Sequence, residues 1–168
     1  MFHKMKQRNL LITLCLAIVG IFSFQNTTEV KAVSFVHTFK KTTMVSRSEQ
    51  KDDFTYDFTR IKKPRLKAKT DWLTDKIGKN SGNDHYYRVA TNEWVSTDDV
   101  ALINKGINRP ITISIGHNIW KFNSKTYEFT YTGRRLAAGT WASDERIQLD
   151  RMSYCKVGPN EWIQNIHY

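Results

Sequence analysis

The chain has 168 residues, with 26 Lys plus Arg against 16 Asp plus Glu and a formal charge of +10. Hydrophobic residues at 40% and aromatics at 12% exclude a disordered chain, and eight Gly with three Pro exclude a collagen-like or linker-like one. Two Cys, at positions 15 and 155, cannot define a disulfide framework, so one domain or two very small ones must be held together by packing.

Residues 1–9 carry Lys4, Lys6 and Arg8 without an acid, and residues 10–24 are free of charge. This is the shape of a signal peptide, and Val30-Lys31-Ala32 predicts cleavage after Ala32. The apolar run is short against the roughly 20 residues that span a bilayer. Cys15 sits inside that run after Thr13-Leu14, without the small residue that a lipid attachment site needs. Removal of residues 1–32 takes away four bases (Lys4, Lys6, Arg8, Lys31) and one acid (Glu29), so the formal charge falls from +10 to +7. Cys155 is then the one remaining thiol, with a buried free Cys as the expectation. An exported basic protein meets polyanions: wall phosphate polymers, acidic glycans, lipid headgroups or stray nucleic acid.

Residues 33–50 hold Ser, Thr and Lys with few apolar side chains and read as a mobile arm. Beyond them the chain repeats itself. Tyr86-Tyr87-Arg88-Val89-Ala90-Thr91-Asn92-Glu93-Trp94-Val95 recurs as Tyr154-Cys155-Lys156-Val157-Gly158-Pro159-Asn160-Glu161-Trp162-Ile163, an offset of 68 with five of ten positions identical. Upstream, Asp75 and Trp72 match Asp144 and Trp141 at offset 69, Leu66 matches Leu136 at 70, and Thr55-Tyr56-Asp57-Phe58-Thr59 matches Thr126-Tyr127-Glu128-Phe129-Thr130 at 71. Three one-residue slips in constant order describe a tandem pair, drawn as residues 51–100 and 119–168, with 101–118 as a connector holding one strand at 111–115.

Each copy reads as β-structure. Tyr127, Phe129 and Tyr131 alternate with Glu128 and Thr130, and Leu66, Ala68 and Thr70 alternate with Lys67 and Lys69, the period of two of a half-buried strand. Pro159 and Asn160 suit a hairpin turn, and Asn92 predicts the same hairpin in the first copy. Ser96-Thr97-Asp98-Asp99 reads as a turn or one helical turn. The fold class expected is mainly β: two tandem small antiparallel modules, SH3-like barrels or hairpin-rich units. A forty-residue unit buries little surface, so the copies are expected to pack together on Trp72, Trp94, Trp141, Trp162 and the paired Tyr residues. Trp120 has no repeat partner.

The segment 86–95 resembles the signature of the SLAP domain, the C-terminal anchoring repeat of lactobacillus surface-layer proteins. The resemblance covers about residues 63–100, and more loosely 119–167, where Cys155 replaces a Tyr and Arg146-Ile147-Gln148-Leu149-Asp150 replaces a glycine-containing turn. It implies non-covalent, non-catalytic attachment to the cell wall through anionic polymers such as teichoic or lipoteichoic acid, with other surface-layer proteins as further partners and no specific nucleic acid. No residue-level binding map comes with it.

The residues themselves point to the same chemistry. Arg60-Ile61-Lys62-Lys63-Pro64-Arg65-Leu66-Lys67-Ala68-Lys69 has six bases in ten and no acid, a cationic stripe for polymeric phosphate that can equally be a solvated basic strand. The candidate ligand-binding set is Lys63, Arg65, Lys67 and Lys69 from this run, Arg88 and its counterpart Lys156, and Arg134 with Arg135. Arg-to-Lys exchange between copies keeps charge and surrenders bidentate geometry, which suits a diffuse polyanion. No metal site, cofactor or catalysis is expected. His37, His85, His117 and His167 lack zinc spacing, and Glu93 and Glu161 sit beside turns. Asp98 and Asp99 have no counterpart in the second copy, and Cys155 stands where the first copy has Tyr87. The alternative is a secreted effector or enzyme inhibitor that binds another protein.

Overall fold

The computed structural model of the protein describes residues 32–39, 43–52, 54–149 and 151–165. The expected leader up to Lys31, with Cys15 in it, and His167 lie outside the described residues. The chain is mainly β. Strands β1 (Val33–Thr38), β2 (Thr43–Gln50), β3 (Tyr56–Leu66), β4 (Asp71–Leu73), β5 (Ile77–Lys79), β6 (His85–Ala90) and β7 (Glu93–Ser96) form a first series. A 3-10 turn at Thr97–Asp99, capped by Ser96, leads into β8 (Val100–Lys105). The second series is β9 (Ile111–Ile113), β10 (His117–Asn123), β11 (Glu128–Leu136), β12 (Gly139–Trp141), β13 (Glu145–Leu149), β14 (Met152–Gly158) and β15 (Glu161–Asn165). Among the described residues no helix is long and apolar enough to cross a membrane.

The two series share one topology. The order β3-β2-β7-β6-β5 in the first half is matched by β11-β10-β15-β14-β13 in the second, and β1 pairs with β4 as β9 pairs with β12. Equivalent strands therefore begin at Val33 and Ile111, upstream of residues 51 and 119. Each slip in the sequence repeat lies where the ladder permits an extra residue. The first falls in a bulge, where the step from Arg60 to Arg65 faces only Ser46 to Met44, against Tyr131 to Arg135 facing Trp120 to Asn118. The second falls in the turn between β3 and β4, and the third in the loop between β5 and β6.

Three expectations are corrected. Residues 33–50 are not a mobile arm but supply β1 and β2, because polar positions there find distant partners: the Thr38 hydroxyl donates to the Lys67 carbonyl at 2.7 Å, and Thr38, Thr43 and Ser46 are buried. Residues 66–70 do not continue a strand, since Lys69 adopts φ 56° and the chain turns into β4. The sheets are open and no barrel closes; β8 instead joins β13 to β1, making the eight-stranded order β11-β10-β15-β14-β13-β8-β1-β4 across the two halves.

Both predicted hairpins form, and one residue explains each. Asn92 and Asn160 take φ 55° and 51°, a left-handed conformation Asn tolerates. Their side-chain oxygens reach the neighbouring strand at equivalent positions: Asn92 Oδ1 accepts from the Ser48 amide at 2.8 Å and Asn160 Oδ1 from the Phe122 amide at 3.0 Å.

Every five-stranded array has two packed faces. One carries the matching cores Val45, Leu66, Tyr87, Val95 and Ile119, Leu136, Cys155, Ile163, lidded by Trp72 and Trp141 respectively. Cys155 is fully buried, a packing position as its repeat partner Tyr87 suggests. The other face carries a repeated aromatic group. Phe58 stacks on Tyr86 at 3.8 Å and meets Trp94 edge-on at 5.5 Å, while Phe129 stacks on Tyr154 at 3.7 Å and meets Trp162 edge-on at 5.7 Å. The second group merges with Ile103, Ile147 and Phe35 into a third core that spans the halves.

Tyr56 and Tyr127, equivalent in sequence, part company. Tyr56 is buried over Gly78, whereas Tyr127 takes φ 58° and stacks on His37 of β1 at 3.7 Å, binding the halves. Burial, then the charges of Asp71 and Glu145, push the Tyr127 phenol up to about 12, so it stays neutral. In the second half Ile147 stands at the position of Gly78, by the pairing of Ile147 with Tyr154 and of Gly78 with Tyr86. A Cβ at Gly78 would stand 2.8 Å from the Tyr56 ring and 3.2 Å from Trp94. Gly78→Ala should therefore cost about 1–3 kcal/mol by overpacking, read as a lowered thermal midpoint; an unchanged midpoint would show that the ring moves freely.

Candidate functional site

The basic run emerges on the edge of the five-stranded sheet. Among the described residues β3 pairs only with β2, which is why an interior proline is tolerated, and residues 61–64 are thrown out of register by the bulge between the Ser46–Arg60 and Met44–Arg65 pairs. Lys62, Lys63 and Arg65 line one shallow groove with Met44, and Arg65 Nε donates to the Lys62 carbonyl at 3.3 Å, tying the bulge to itself. Lys67 and Lys69 follow on the turn into β4, both exposed. Among the described residues no carboxylate lies within ion-pair distance of Arg60, Lys62, Lys63, Arg65, Lys67 or Lys69.

The other half of the predicted set behaves differently. Arg88 grips Asp75 through two nitrogens, one at 2.8 Å, and Lys156 stands 3.4 Å from Glu145 and 3.8 Å from Asp144, the repeat partner of Asp75. Arg134 pairs with Glu161 at 2.6 Å. Arg135 has no acidic partner within ion-pair distance among the described residues but donates to the Gly116 carbonyl at 2.6 Å. Arg88, Arg134 and Lys156 are thus neutralised locally and act as clasps within each half. Lys63, Arg65, Lys67 and Lys69 keep their charge for solvent. Arg60 and Lys62 join them, and both were visible in the basic run.

The hydrogen bond and charge of Arg88 hold the Asp75 carboxyl below its ordinary value. A depressed acid stabilises the fold above its unfolded pKa and loses that contribution as pH falls through the folded one. Asp75→Asn should cost about 0.2–1 kcal/mol at neutral pH, the value of an exposed pair. The difference from the unsubstituted chain should vanish in acid, where both carry a neutral side chain. Denaturant midpoints at pH 7 and pH 2 measure it.

A second feature borders the groove. Met44 also edges a mainly polar cleft of about 390 Å³, bordered by the Phe58–Tyr86 stack and by Ser46, Arg60, Asp98 and Asp99. The Tyr86 phenol is raised, first by burial and then by Asp84, with Asp98 and Asp99 adding to it, so it remains a hydroxyl donor. Sequence reading missed this cleft because Ser46 lies in the segment whose composition suggests a mobile arm. No protein-family model matches the chain, and no curated protein matches it.

Proposed function

We propose that this protein is an exported, non-catalytic wall-binding module of SLAP-like type that attaches to an anionic wall polymer through the cations of the β3 edge. The supporting observation is the contrast within its own basic residues. Those of residues 60–69 stand on a bulged sheet edge without acid partners among the described residues, while Arg88, Arg134 and Lys156 are each matched by a carboxylate. An edge strand that carries charge and a bulge also resists pairing with another sheet, so the cations are offered to a ligand rather than to a second strand. Polymeric phosphate presents repeated charges to such an edge, and weak contacts multiply along a linked chain. The resemblance of segment 86–95, the leader-like residues 1–32 and the charge of +10 support the same reading.

The test is co-sedimentation of the purified protein with Gram-positive cell walls, intact and stripped of phosphate polymer. Retention on intact walls that falls on stripping and in concentrated salt is the expected result. Equal retention on both walls overturns it, and saturable capture by a protein component with indifference to polymer would favour the effector reading.

A further inference from the structure

We propose that the cleft beside the basic groove is a subsite for a hydroxylated ring, so that the polymer recognised is a glycosylated phosphate polymer; this rests on the wall-binding reading above. The argument starts from the protein's own second half, which has the same strands and the same stacked aromatic pair at Phe129 and Tyr154. There the ground above the stack is occupied. Trp120 stands where the first half has Ser46, by the shared pairing of Trp120 with Trp162 and of Ser46 with Trp94, and Tyr131 stands where it has Arg60. Trp120 packs 5.7 Å from Tyr131 and 6.1 Å from Tyr154, closing the space. In the first half a buried Ser and an exposed Arg leave it open.

The chemistry of the open cleft suits a sugar better than a phosphate. The lining is mainly polar: Tyr86, Ser46, Arg60 and Asp99 carry donors and acceptors for ring hydroxyls, and the Phe58–Tyr86 pair adds a small apolar surface for ring C–H groups. Asp98 is paired with Arg151 at 3.7 Å, which leaves Asp99 as the rim carboxylate that repels a phosphate and accepts hydrogen bonds from ring hydroxyls. Through Met44 the cleft adjoins Lys62, Lys63 and Arg65, where the neighbouring phosphate would lie. Cations and cleft are thus adjacent, as substituent and backbone phosphate are in a glycosylated polymer.

The experiment compares binding of the protein to poly(glycerol phosphate) without sugar and to the same polymer bearing glucosyl groups. The expected result is tighter binding of the glucosylated polymer by about tenfold, a difference of about 1.4 kcal/mol. Ser46→Trp, the exchange the second half displays, should abolish the preference while leaving the bare polymer bound as before. Asp99→Ala, on an exposed side chain of the 3-10 turn, should reduce the preference without touching the core and covers the case in which Ser46→Trp does not fold. Equal affinity for both polymers, or a preference that survives both substitutions, overturns the subsite. If neither polymer binds, a neutral glucan oligosaccharide separates the two ideas. Binding that is lost in Asp99→Ala keeps the subsite and removes the phosphate reading, and absence of binding removes both.

Discussion

Joint replacement of Lys63, Arg65, Lys67 and Lys69 by Gln should reduce retention on phosphate-bearing walls by about tenfold or more, because the weak attractions of four cations to one linked polymer combine multiplicatively. The fold should survive. All four side chains are exposed, and none makes an ion pair with a described carboxylate. The control is the pair Arg88→Gln and Lys156→Gln, which removes two of the eight candidate cations while freeing Asp75 and Asp144 and leaving Glu145 with Lys105. Those changes should lower the denaturation midpoint and leave wall retention within about twofold, since a paired cation offers little net field beyond its partner. Circular dichroism on each variant separates a folding effect from a binding one. An equal drop in retention for both sets would show that charge acts through the net total rather than through the β3 edge.

Trp162→Ala should cost about 3–5 kcal/mol, the range for truncating a buried Trp, and this is a large part of the total stability of a domain of this size. The ring is 3% exposed, meets Phe122 and Phe129 edge-on at 5.7 Å each, and donates from Nε1 to Asn160 Oδ1 at 3.1 Å. Its removal opens the core that spans the halves. Because β8 pairs with β1 on one side and β13 on the other, the damage should spread to the first half, and calorimetry should record one transition shifted down by roughly 10 °C or more. Two transitions, the upper one unmoved, would mean that the halves melt independently. Trp162→Phe should recover part of the deficit, since it keeps the ring packing and forfeits the bond to Asn160.

How much of this was open to sequence reading depends on the range of each interaction. The hairpins at Asn92 and Asn160 were legible because turn chemistry is confined to four residues. The one helical turn after Ser96 was legible for the same reason. The strand expected over residues 66–70 failed because alternation of Leu66, Ala68 and Thr70 says nothing of Lys69, whose φ of 56° is held by its amide donating to the Thr38 and Phe39 carbonyls. Those partners lie in a segment whose composition alone suggests mobility.

Amino-acid order alone therefore settled the mainly β class, the twofold repetition and the matched aromatic positions, since period and self-similarity are properties of a line. It also displayed the cations of residues 60–69 as a run. Tertiary structure decided which cations stay unpaired, because Arg88 meets Asp75 and Arg134 meets Glu161 across gaps of 13 and 27 residues. It decided as well that β8 stitches the halves into one sheet, and that Ser46 leaves open what Trp120 closes. Each of these depends on contacts between strands distant in sequence, and a pairing free energy belongs to two positions at once, so neither position carries its mark alone.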